Sequence, residues 1–502
     1  MSKRIPTYLS FAIYLLILFS CFNTRDNTTY GPIPQIEIEG LQDNYSVTQF
    51  DTLSLKPKVS SSINAKDLNY SWRLWSNAPG GSKLDSISGD IGLNYVVNNI
   101  PGAYTLLFTV TNNLNNVKAY KKVDLKIQGV ITEGLMILQD KGGVTDFDFV
   151  SSPFFTHRVS KEIHLKNMFE SIHHEKLERG RGVDISSYYT GNFQYVYLLT
   201  EKAGVRLSAT TLQRLTDLSA MMIDKKPLKP QAYTYLPWGT MNFFAEVLIS
   251  DGRYYNSSFN ANQFTEPILR GGLSYRASPF VPRQLQWVFR GVVYDEENGR
   301  FLVAVNDGIS LQSMPHVEGT TFDWNHLTAH LVYLESGFKD YEYAVMEDWK
   351  TRERSLYVIN FKDENVRYDI GKYSMSGCPE IKDAVGFAVG SRGNVFYYCT
   401  KNTLFLYDYS GSNKASAVWN AKNGEQISLI KLLKPNEGRY MRNHPFDNKV
   451  LIISTKSAKN GDQIHLFYVN EANGAIDLQS HKTLSGFGDI IDIEFNYAKY
   501  GT

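Results

Sequence analysis

Clusters of aromatic residues in loop-like sequence are the strongest chemical signal in this chain. Tyrosine and tryptophan rings combine a flat apolar face with a polar edge, and sugars and extended peptides dock on such rings. Loops carried by a rigid β scaffold are also where binding sites gather. The alternative is that these rings pack in the core between strands. The candidate ligand-binding residues are Tyr188, Tyr189, Tyr235, Trp238, Tyr254, Tyr255 and Trp324.

Sequence motifs of catalysis and metal binding are missing. The chain has no His-Glu-x-x-His, no Gly-x-Ser-x-Gly and no phosphate-binding loop. His326 and His330 are spaced like two metal ligands on a helix, but the sequence that follows favours a strand. His173 and His174 are adjacent, so they point apart on a helix. We therefore expect no metal site and no cofactor.

Acidic residues do not single out a catalytic pair. A glycosidase needs two carboxyl groups about 5–10 Å apart, and the sequence favours no particular pair. Asp146 and Asp148 alternate on a predicted strand and share a face, where we expect a solvent-exposed edge rather than a calcium or substrate site. Residues 295–297 are typical of a turn. A hydrolase, such as a glycosidase on a β scaffold, stays an alternative to a non-catalytic protein.

Composition argues against a nucleic-acid partner and does not settle whether two cysteines form a disulfide. The formal net charge of the 502-residue chain is +1, so no field of one sign exists to attract nucleic acid. Hydrophobic residues make up 43% of the chain, which is enough for packed cores. Cys378 and Cys399 could form a disulfide in an oxidising compartment or stay two separate buried thiols.

The N-terminus has the pattern of an export signal. Lys3 and Arg4 precede a short apolar run over residues 8–19, which fits a signal peptide better than a membrane span. The run ends in Leu18-Phe19-Ser20-Cys21, which resembles the bacterial lipobox. The resemblance implies that residues 1–20 are removed and that Cys21 carries a lipid. The polar residues 21–33 are then expected to be a tether.

Residues 34–128 are predicted to form a small β-sandwich. Short alternating strands occur at residues 36–38, 53–55, 68–74, 104–111 and 117–127. The segments Leu-x-Leu-x-Pro at 53–57, Tyr-x-Trp at 70–72 and Pro-Gly-x-Tyr at 101–104 resemble the PKD-like family. The resemblance implies an immunoglobulin-like sandwich with Trp72 in its core, and a spacer or interaction module rather than an active site.

Two triplets in this domain match an O-glycosylation pattern. Asp51-Thr52-Leu53 and Asp85-Ser86-Ile87 resemble the acceptor sequence of Bacteroidetes-type bacteria. Thr52 and Ser86 are therefore candidate acceptors, although Asp-Ser and Asp-Thr pairs are also common in turns.

Residues 129–502 are predicted to form a larger β-propeller-like domain. Apolar strands alternate with glycine turns centred on Gly252, Gly299, Gly393 and Gly474. Their spacing is close to one or two units of about 40–50 residues, the length of a propeller blade, so the domain has room for seven or eight blades. Apolar residues at helical spacing predict inserted helices within 160–178 and 211–223.

The whole layout resembles lipoproteins that Bacteroidetes bacteria encode near starch-utilisation-type transporters. The lipobox, the PKD-like module and the Gly134-Leu-Met-Ile-Leu start of the second domain carry the resemblance. The sequence thus predicts an all-β, lipid-anchored protein of the outer membrane, surface-exposed or periplasmic. We expect a non-catalytic accessory of an outer-membrane transporter that binds a glycan, a peptide or a metal chelate. A purely structural or adhesive envelope protein is a further alternative.

Overall fold

The computed structural model describes most of the chain between residues 35 and 497. The described residues are 35–77, 84–99, 101–129, 131, 133–157, 159, 161–177, 180–190, 193–224, 226–236, 244–258, 263–270, 274–283, 285, 291–305, 308–317, 320–363, 365–422, 424–436, 443–458 and 461–497. They are folded mostly as β-strands, and the chain divides into two compact units. Unit 1 ends at Gln128 and lacks residues 98–101, whereas unit 2 consists of those four residues and the chain from Gly129 onward.

Unit 1 is a β-sandwich. Its largest sheet has five strands in the order β2, β9, β8, β5, β6, and two two-stranded sheets pair β3 with β7 and β1 with β4. The strands are β1 (Ile36–Glu39), β2 (Asn44–Thr48), β3 (Thr52–Leu55), β4 (Lys58–Ser61), β5 (Leu68–Ser76), β6 (Asp85–Ser88), β7 (Leu93–Val96), β8 (Gly102–Asn112) and β9 (Lys118–Gln128).

The core of unit 1 is built around Trp72. Alternate residues of β5, β8 and β9 turn to one face of the sheet, as the period of two predicts. Trp72 is fully buried, its ring lies 4.4 Å from that of Phe108, and its indole Nε1 donates a 3.0 Å hydrogen bond to the carbonyl oxygen of Asp90. The predicted core tryptophan is therefore in place, with its polar edge satisfied.

Unit 2 is a β-propeller. Its described residues contain seven four-stranded sheets, and edge strands of several neighbouring sheets pack against one another. The first sheet joins β10 (Glu133–Lys141), β11 (Val144–Ser151) and β12 (Ile163–Leu165) to the last strand, β37 (Asp489–Tyr497). The second holds β13 (Gly182–Thr190), β14 (Phe193–Thr200), β15 (Ala203–Ser208) and β16 (Arg214–Asp217), and the third holds β17 (Pro230–Tyr235), β18 (Phe244–Ser250), β19 (Arg253–Ser258) and β20 (Phe264–Thr265).

The other four sheets follow in chain order. In the fourth sheet, the strand that comes first in sequence pairs with the strand that comes last. The fourth is ordered β21 (Ile268–Leu269), β24 (Ser310–Ser313), β23 (Arg300–Val305), β22 (Val292–Asp295). The fifth holds β25 (Ala329–Ser336), β26 (Glu342–Asp348), β27 (Arg354–Ile359) and β28 (Asp369–Ser374). The sixth holds β29 (Gly386–Val389), β30 (Phe396–Cys399), β31 (Thr403–Asp408) and β32 (Lys414–Asn420), and the seventh holds β33 (Glu425–Leu432), β34 (Val450–Ser457), β35 (Asp462–Val469) and β36 (Ile476–Phe487).

The ring is closed by strands that are far apart in sequence. β37 pairs antiparallel with β10, from Glu133 opposite Tyr497 to Asp140 opposite Asp489. The edge strand β37 also packs against β13, the edge strand of the second sheet. A backbone ladder therefore joins β37 to the first sheet of the ring.

Glycine turns connect neighbouring strands, as the sequence predicts. Gly252 has a φ of 67° between β18 and β19, and Gly299 has a φ of 64° between β22 and β23. Gly393 has a different role: a Cβ atom there would lie 2.3 Å from the carbonyl oxygen of Ala472, so the position is fixed by close backbone approach.

The two predicted helices are shorter than expected. The described residues contain α1 (Met168–His173) and α2 (Leu218–Met221), besides three short 3₁₀ turns at Ala65–Asp67, Phe338–Asp340 and Ile381–Asp383. The helix predicted within 211–223 is confined to α2, because Leu212 adopts a φ of 55° and residues 214–217 form β16. No helix among the described residues is both long and apolar enough to span a bilayer.

Candidate functional site

A polar cavity lies among the axial edge strands of the propeller. Its volume is about 130 Å³, and residues of the third, fifth, seventh and first sheets line it. Apolar residues such as Leu135 and Ile452 form part of its wall. The charged or hydroxyl-bearing lining residues are Tyr235, Arg283, Glu335, Lys431, Lys434 and Glu494. We call this the axial cavity.

One wall of the axial cavity is a network around Lys431. Lys431 lies on β33, and its Nζ is 2.6 Å from Oδ1 of Asp492 on β37. The same Nζ donates a 2.7 Å hydrogen bond to the carbonyl oxygen of Ile493. Glu494, two residues further along β37, accepts a 2.8 Å hydrogen bond from the Ser187 hydroxyl of β13. The network therefore ties three neighbouring sheets together.

Asp184 on β13 faces Asp492 in this network. Its Oδ2 accepts hydrogen bonds from the Tyr233 amide at 2.9 Å and from the Ser186 hydroxyl at 3.0 Å. Burial, reinforced by the neighbouring Asp492 carboxyl group, raises the pKa of Asp184 to about 8. At neutral pH this side chain is therefore mainly an uncharged carboxylic acid.

Lys431 keeps its charge in a partly buried position, where 37% of its side chain is exposed. Burial disfavours the ammonium form, but the carboxylates of Asp492 and Glu494 outweigh this effect and raise the pKa of Lys431 above its ordinary value. The ammonium group remains protonated over the physiological range, so the network is an ion pair rather than a neutral hydrogen-bond chain.

The opposite wall carries a second ion pair. Lys434 lies just after β33 and is almost fully buried, and its Nζ is 2.8 Å from Oε1 of Glu335 on β25. Nζ also donates a 2.7 Å hydrogen bond to the carbonyl oxygen of Ser336. The other carboxylate oxygen of Glu335 accepts a 3.0 Å hydrogen bond from the Val389 amide of β29. A buried lysine with two partners avoids the desolvation cost of an unpaired ammonium group.

Arg283 and Tyr235 complete the lining. The Arg283 guanidinium carbon lies 4.7 Å from the centroid of the Tyr235 ring, which is a cation–π contact. The Arg283 amide donates a 2.8 Å hydrogen bond to Glu342 of β26. The loop that carries Arg283 is thereby attached to the fifth sheet.

The charges around the axial cavity are balanced. With Asp184 protonated, three cationic groups stand beside three carboxylates. A ligand with a large net charge would upset that balance in a region of low dielectric constant. The cavity therefore suits an uncharged polar group, such as a sugar hydroxyl or an amide, or a small zwitterion.

The aromatic residues predicted to bind ligand have different environments. Tyr235 borders the axial cavity, although only 3% of its surface is exposed. Tyr254, Tyr255 and Trp324 are buried, with 0%, 4% and 5% of their surface exposed, so the prediction of exposed rings is wrong for these three.

Packing between sheets explains the correction. Trp324 stacks on Tyr368 at 3.7 Å between ring centroids and belongs to the same core as Tyr254. Tyr188 and Tyr189 lie on β13. Trp238 is outside the described residues.

The other predicted site residues are placed as follows. Cys378 and Cys399 are two separate buried thiols, so the disulfide left open by the sequence is not formed. Burial raises the pKa of Cys378 to about 11 and that of Cys399 to about 12. Thr52 and Ser86 are both exposed in unit 1. Cys21 is outside the described residues.

The expectation of an exposed edge at Asp146 and Asp148 is wrong. Both are buried, and both accept hydrogen bonds from backbone amides at the start of α1. Asp146 accepts hydrogen bonds from the amides of Phe169 and Glu170 at 2.8 and 3.0 Å. Asp148 accepts from the Asn167 amide at 2.9 Å. Their role is to position a loop.

Of the histidines considered in the sequence, His326 and His330 each pair with a separate carboxylate. His326 Nδ1 lies 2.7 Å from Asp323 Oδ2, and His330 Nδ1 lies 3.2 Å from Glu296 Oε2. His173 Nε2 instead contacts the Leu212 carbonyl oxygen at 3.0 Å.

A second polar cluster joins residues that no motif or spacing in the sequence connects. Glu133 begins β10, His157 follows β11, and His444 lies between β33 and β34. Oε1 of Glu133 is 3.0 Å from His157 Nδ1 and 2.6 Å from His444 Nε2. Within the described part of the chain, this is the group of three in which histidine and carboxylate atoms converge within 4.8 Å. We call it the rim cluster.

Comparison with known proteins supports both halves of the fold. The PKD-like family model matches residues 21–178, which include unit 1 and the first three strands of unit 2. No curated protein matches the sequence.

The solved structures that match this chain are distant in sequence. A quinoprotein alcohol dehydrogenase-like protein from Bacteroides thetaiotaomicron is 12% identical with a TM-score of 0.53, and the match covers 91% of this chain and 97% of that one. A Synechocystis apocarotenoid oxygenase is 8% identical with a TM-score of 0.36, over 93% of this chain and 96% of that one. The first match supports the fold alone, and the second is too weak to support an argument. The chain is thus an all-β protein with a PKD-like sandwich followed by a propeller.

Proposed function

We propose that this protein is a non-catalytic, lipid-anchored envelope protein whose propeller binds an uncharged polar ligand, a glycan or a peptide. In this proposal Cys21 carries the lipid, unit 1 is a spacer, and the axial cavity holds a part of the ligand. The protein serves as an accessory of an outer-membrane transporter. The single observation that carries the binding role is the charge-balanced cavity at the propeller axis.

The partners of the charged groups favour binding over chemistry. Lys431, Lys434 and Glu335 each have a fixed partner of opposite charge. Groups held in this way present directed hydrogen-bond donors and acceptors to a ligand, but they do not provide a free nucleophile or base. A ring of rigid strands also holds these groups in place before the ligand arrives, which lowers the entropic cost of binding.

The binding role is tested with purified protein on glycan and peptide arrays, followed by calorimetry on any ligand found. Glu494→Gln removes a cavity charge while keeping the shape of the side chain, and we expect at least a tenfold loss of affinity. Glu353→Gln, on an exposed turn, is the matched control and should bind like wild type. Absence of any glycan or peptide ligand, or equal binding by Glu494→Gln, would contradict the proposal.

The transporter partnership needs a separate test. The full-length protein is affinity-purified from envelopes of its native host after mild crosslinking. An outer-membrane transporter that co-purifies with wild type but not with an unrelated lipoprotein supports the partnership. Recovery of the protein without any transporter would remove this part of the proposal and leave the ligand-binding part standing.

One observation favours a hydrolase as the second candidate. A carboxyl group that stays protonated near neutral pH, as at Asp184, beside a second carboxyl group at Asp492, is the arrangement of a general acid with a base or nucleophile. Polysaccharides and peptides incubated with wild type and Asp184→Asn distinguish the two functions. Product release by wild type, lost in the variant, would make the protein an enzyme.

A further inference from the structure

We propose that the rim cluster of Glu133, His157 and His444 is a binding site for a divalent transition metal of the zinc class. The metal would have three protein ligands, one carboxylate oxygen and two imidazole nitrogens, and one or more positions open to water. This inference does not depend on the ligand of the axial cavity.

The spacing of the three ligand atoms is near that of an occupied site. Zinc bonds to nitrogen and oxygen are about 2.0–2.2 Å long, so tetrahedral ligand atoms lie about 3.3 Å apart. Glu133 Oε1 is 3.0 Å from His157 Nδ1 and 2.6 Å from His444 Nε2, and all three ligand atoms lie within 4.8 Å of one another. The distances from Glu133 to His157 and His444 would lengthen by about 0.3 and about 0.7 Å to reach the expected value.

The backbone around two of the ligands is fixed before any metal binds. Glu133 is held by the pairing of β10 with β37, where it lies opposite Tyr497, and its carbonyl oxygen accepts a 2.7 Å hydrogen bond from the Ser151 hydroxyl. The His444 amide donates a 3.0 Å hydrogen bond to Asn436 Oδ1. Supports of this kind keep ligands in place and strengthen metal sites.

Aromatic rings form one side of the rim cluster. The His444 ring lies 5.4 Å from that of Phe495 and 5.3 Å from that of Tyr497, both in edge-on contact. Glu133 and His444 are buried, whereas the His157 side chain is 42% exposed. The site is therefore enclosed on the protein side and open on the side of His157, through which a hydrated ion could enter and exchange.

The hydrogen bonds of His444 set one requirement for metal binding. Its Nδ1 accepts a long, 3.3 Å hydrogen bond from the Phe446 amide, so the neutral ring carries its proton on Nε2 and donates it to Glu133. A metal on Nε2 requires the proton to move to Nδ1, and this weak bond to Phe446 is given up. The Nε2–Glu133 contact is replaced by two bonds to the metal.

The alternative is that the three side chains only hydrogen-bond to one another. A carboxylate that accepts from two imidazoles satisfies all three groups without an ion. The two readings differ in a measurable way, because only the metal site gains stability and a spectrum when an ion is added.

The test uses the full-length protein carrying a tag without histidines, stripped with a chelator and then equilibrated with Zn²⁺. We expect one Zn²⁺ per chain by elemental analysis, and a rise in melting temperature on adding the metal. Substituting Co²⁺ should give visible absorption bands of a low-coordinate nitrogen and oxygen site. Wild type that binds no more Zn²⁺ than is found in a buffer blank would overturn the proposal.

Variants assign the ion to this cluster. His157→Ala changes a partly exposed side chain, so the variant should fold, and its Zn²⁺ affinity should fall about 100-fold. Glu133→Gln, which keeps the side-chain shape, should lose affinity as well. His326→Ala is the matched control, because His326 also pairs with a carboxylate but lies outside the cluster. Equal Zn²⁺ binding by wild type and His157→Ala would overturn the proposal, as would loss of binding in His326→Ala alone.

Discussion

The Nζ atom of Lys431 on β33 lies 2.6 Å from Oδ1 of Asp492 on β37. These two strands are axial edge strands of neighbouring sheets, and β37 is the strand that closes the ring. A charged pair therefore stands at the junction between the seventh sheet and the first, and its Lys431 member lines the axial cavity. Ring closure and the proposed ligand binding thus share the side chain of Lys431.

Replacing Lys431 with Met should weaken the closed ring. The Asp492 carboxylate would lose its cation, and since both side chains keep some access to water through the cavity, we expect a loss of about 1–3 kcal/mol in the free energy of unfolding. Chemical denaturation of wild type and variant measures the difference. The double variant Lys431→Met with Asp492→Asn should lose less free energy of unfolding than the two single variants added together. A loss equal to or larger than that sum would contradict the pairing.

Asp184 should make the protein less stable as the pH rises. Its folded pKa of about 8 lies above the ordinary value of 3.8, so the folded state binds the proton more tightly than the unfolded state does. Between about pH 5 and 8 this one group lowers stability by at most ~1.4 kcal/mol per pH unit as pH increases. Its effect is absent well below pH 4 and complete above pH 8.

Asp184→Asn isolates this pH effect. Asn resembles the protonated acid and can accept the same hydrogen bonds from Tyr233 and Ser186. Melting temperatures measured from pH 5 to pH 9 should therefore decline less steeply in the variant than in wild type. Parallel curves would show that Asp184 is not protonated at neutral pH.

Trp72 should dominate the stability of unit 1. It is fully buried against Phe108, so Trp72→Ala should cost about 3–5 kcal/mol. Calorimetry of the full chain should show a lower melting transition for one of its two units. Tyr120→Ala, which alters a side chain that is 72% exposed, is the control and should melt like wild type.

Cys378 and Cys399 should be unreactive in the native protein and free after unfolding. Burial raises both thiol pKa values, which removes the thiolate needed for alkylation. Iodoacetamide at mildly alkaline pH should leave both unmodified until denaturant is added, as read by peptide mass spectrometry. A peptide pair joined by a disulfide in unreduced protein would contradict the structure.

Cys21→Ala should release the protein from the membrane. The prediction rests on the lipobox-like sequence, because Cys21 lies outside the described residues. Fractionation should find wild type in the membrane and the variant in the soluble fraction, or retained as an uncleaved precursor. A variant that stays on the membrane after a carbonate wash, with residues 1–20 removed, would rule out the lipid anchor.

Local patterns predicted the fold well because they depend on neighbours in sequence. Alternating residues located the strands of unit 1, and Gly252 and Gly299 marked hairpin turns through their positive φ. The helix within 211–223 is shorter than its apolar spacing indicates, because spacing cannot show that Leu212 sits in a turn, nor that Leu215 is 49% exposed.

The candidate sites depend on contacts that spacing does not encode. Glu133 and His444 are 311 positions apart, and they meet only because β37 returns to pair with β10 and brings the seventh sheet beside the first. Likewise, Tyr235 and Tyr254 are both buried tyrosines of a sheet, and nothing in the sequence shows that the first borders the axial cavity whereas the second packs in the core. The only signal available was the residue type.

The position of β37 in the sequence also determines when the propeller ring can close during synthesis. β37 follows every other described strand in chain order. The first sheet therefore lacks its axial strand until Asp489–Tyr497 has left the ribosome and, in an exported chain, has crossed the inner membrane. During that interval β10 exposes an unpaired and largely apolar edge that another chain could occupy. A holding chaperone would then be needed most just before β37 emerges.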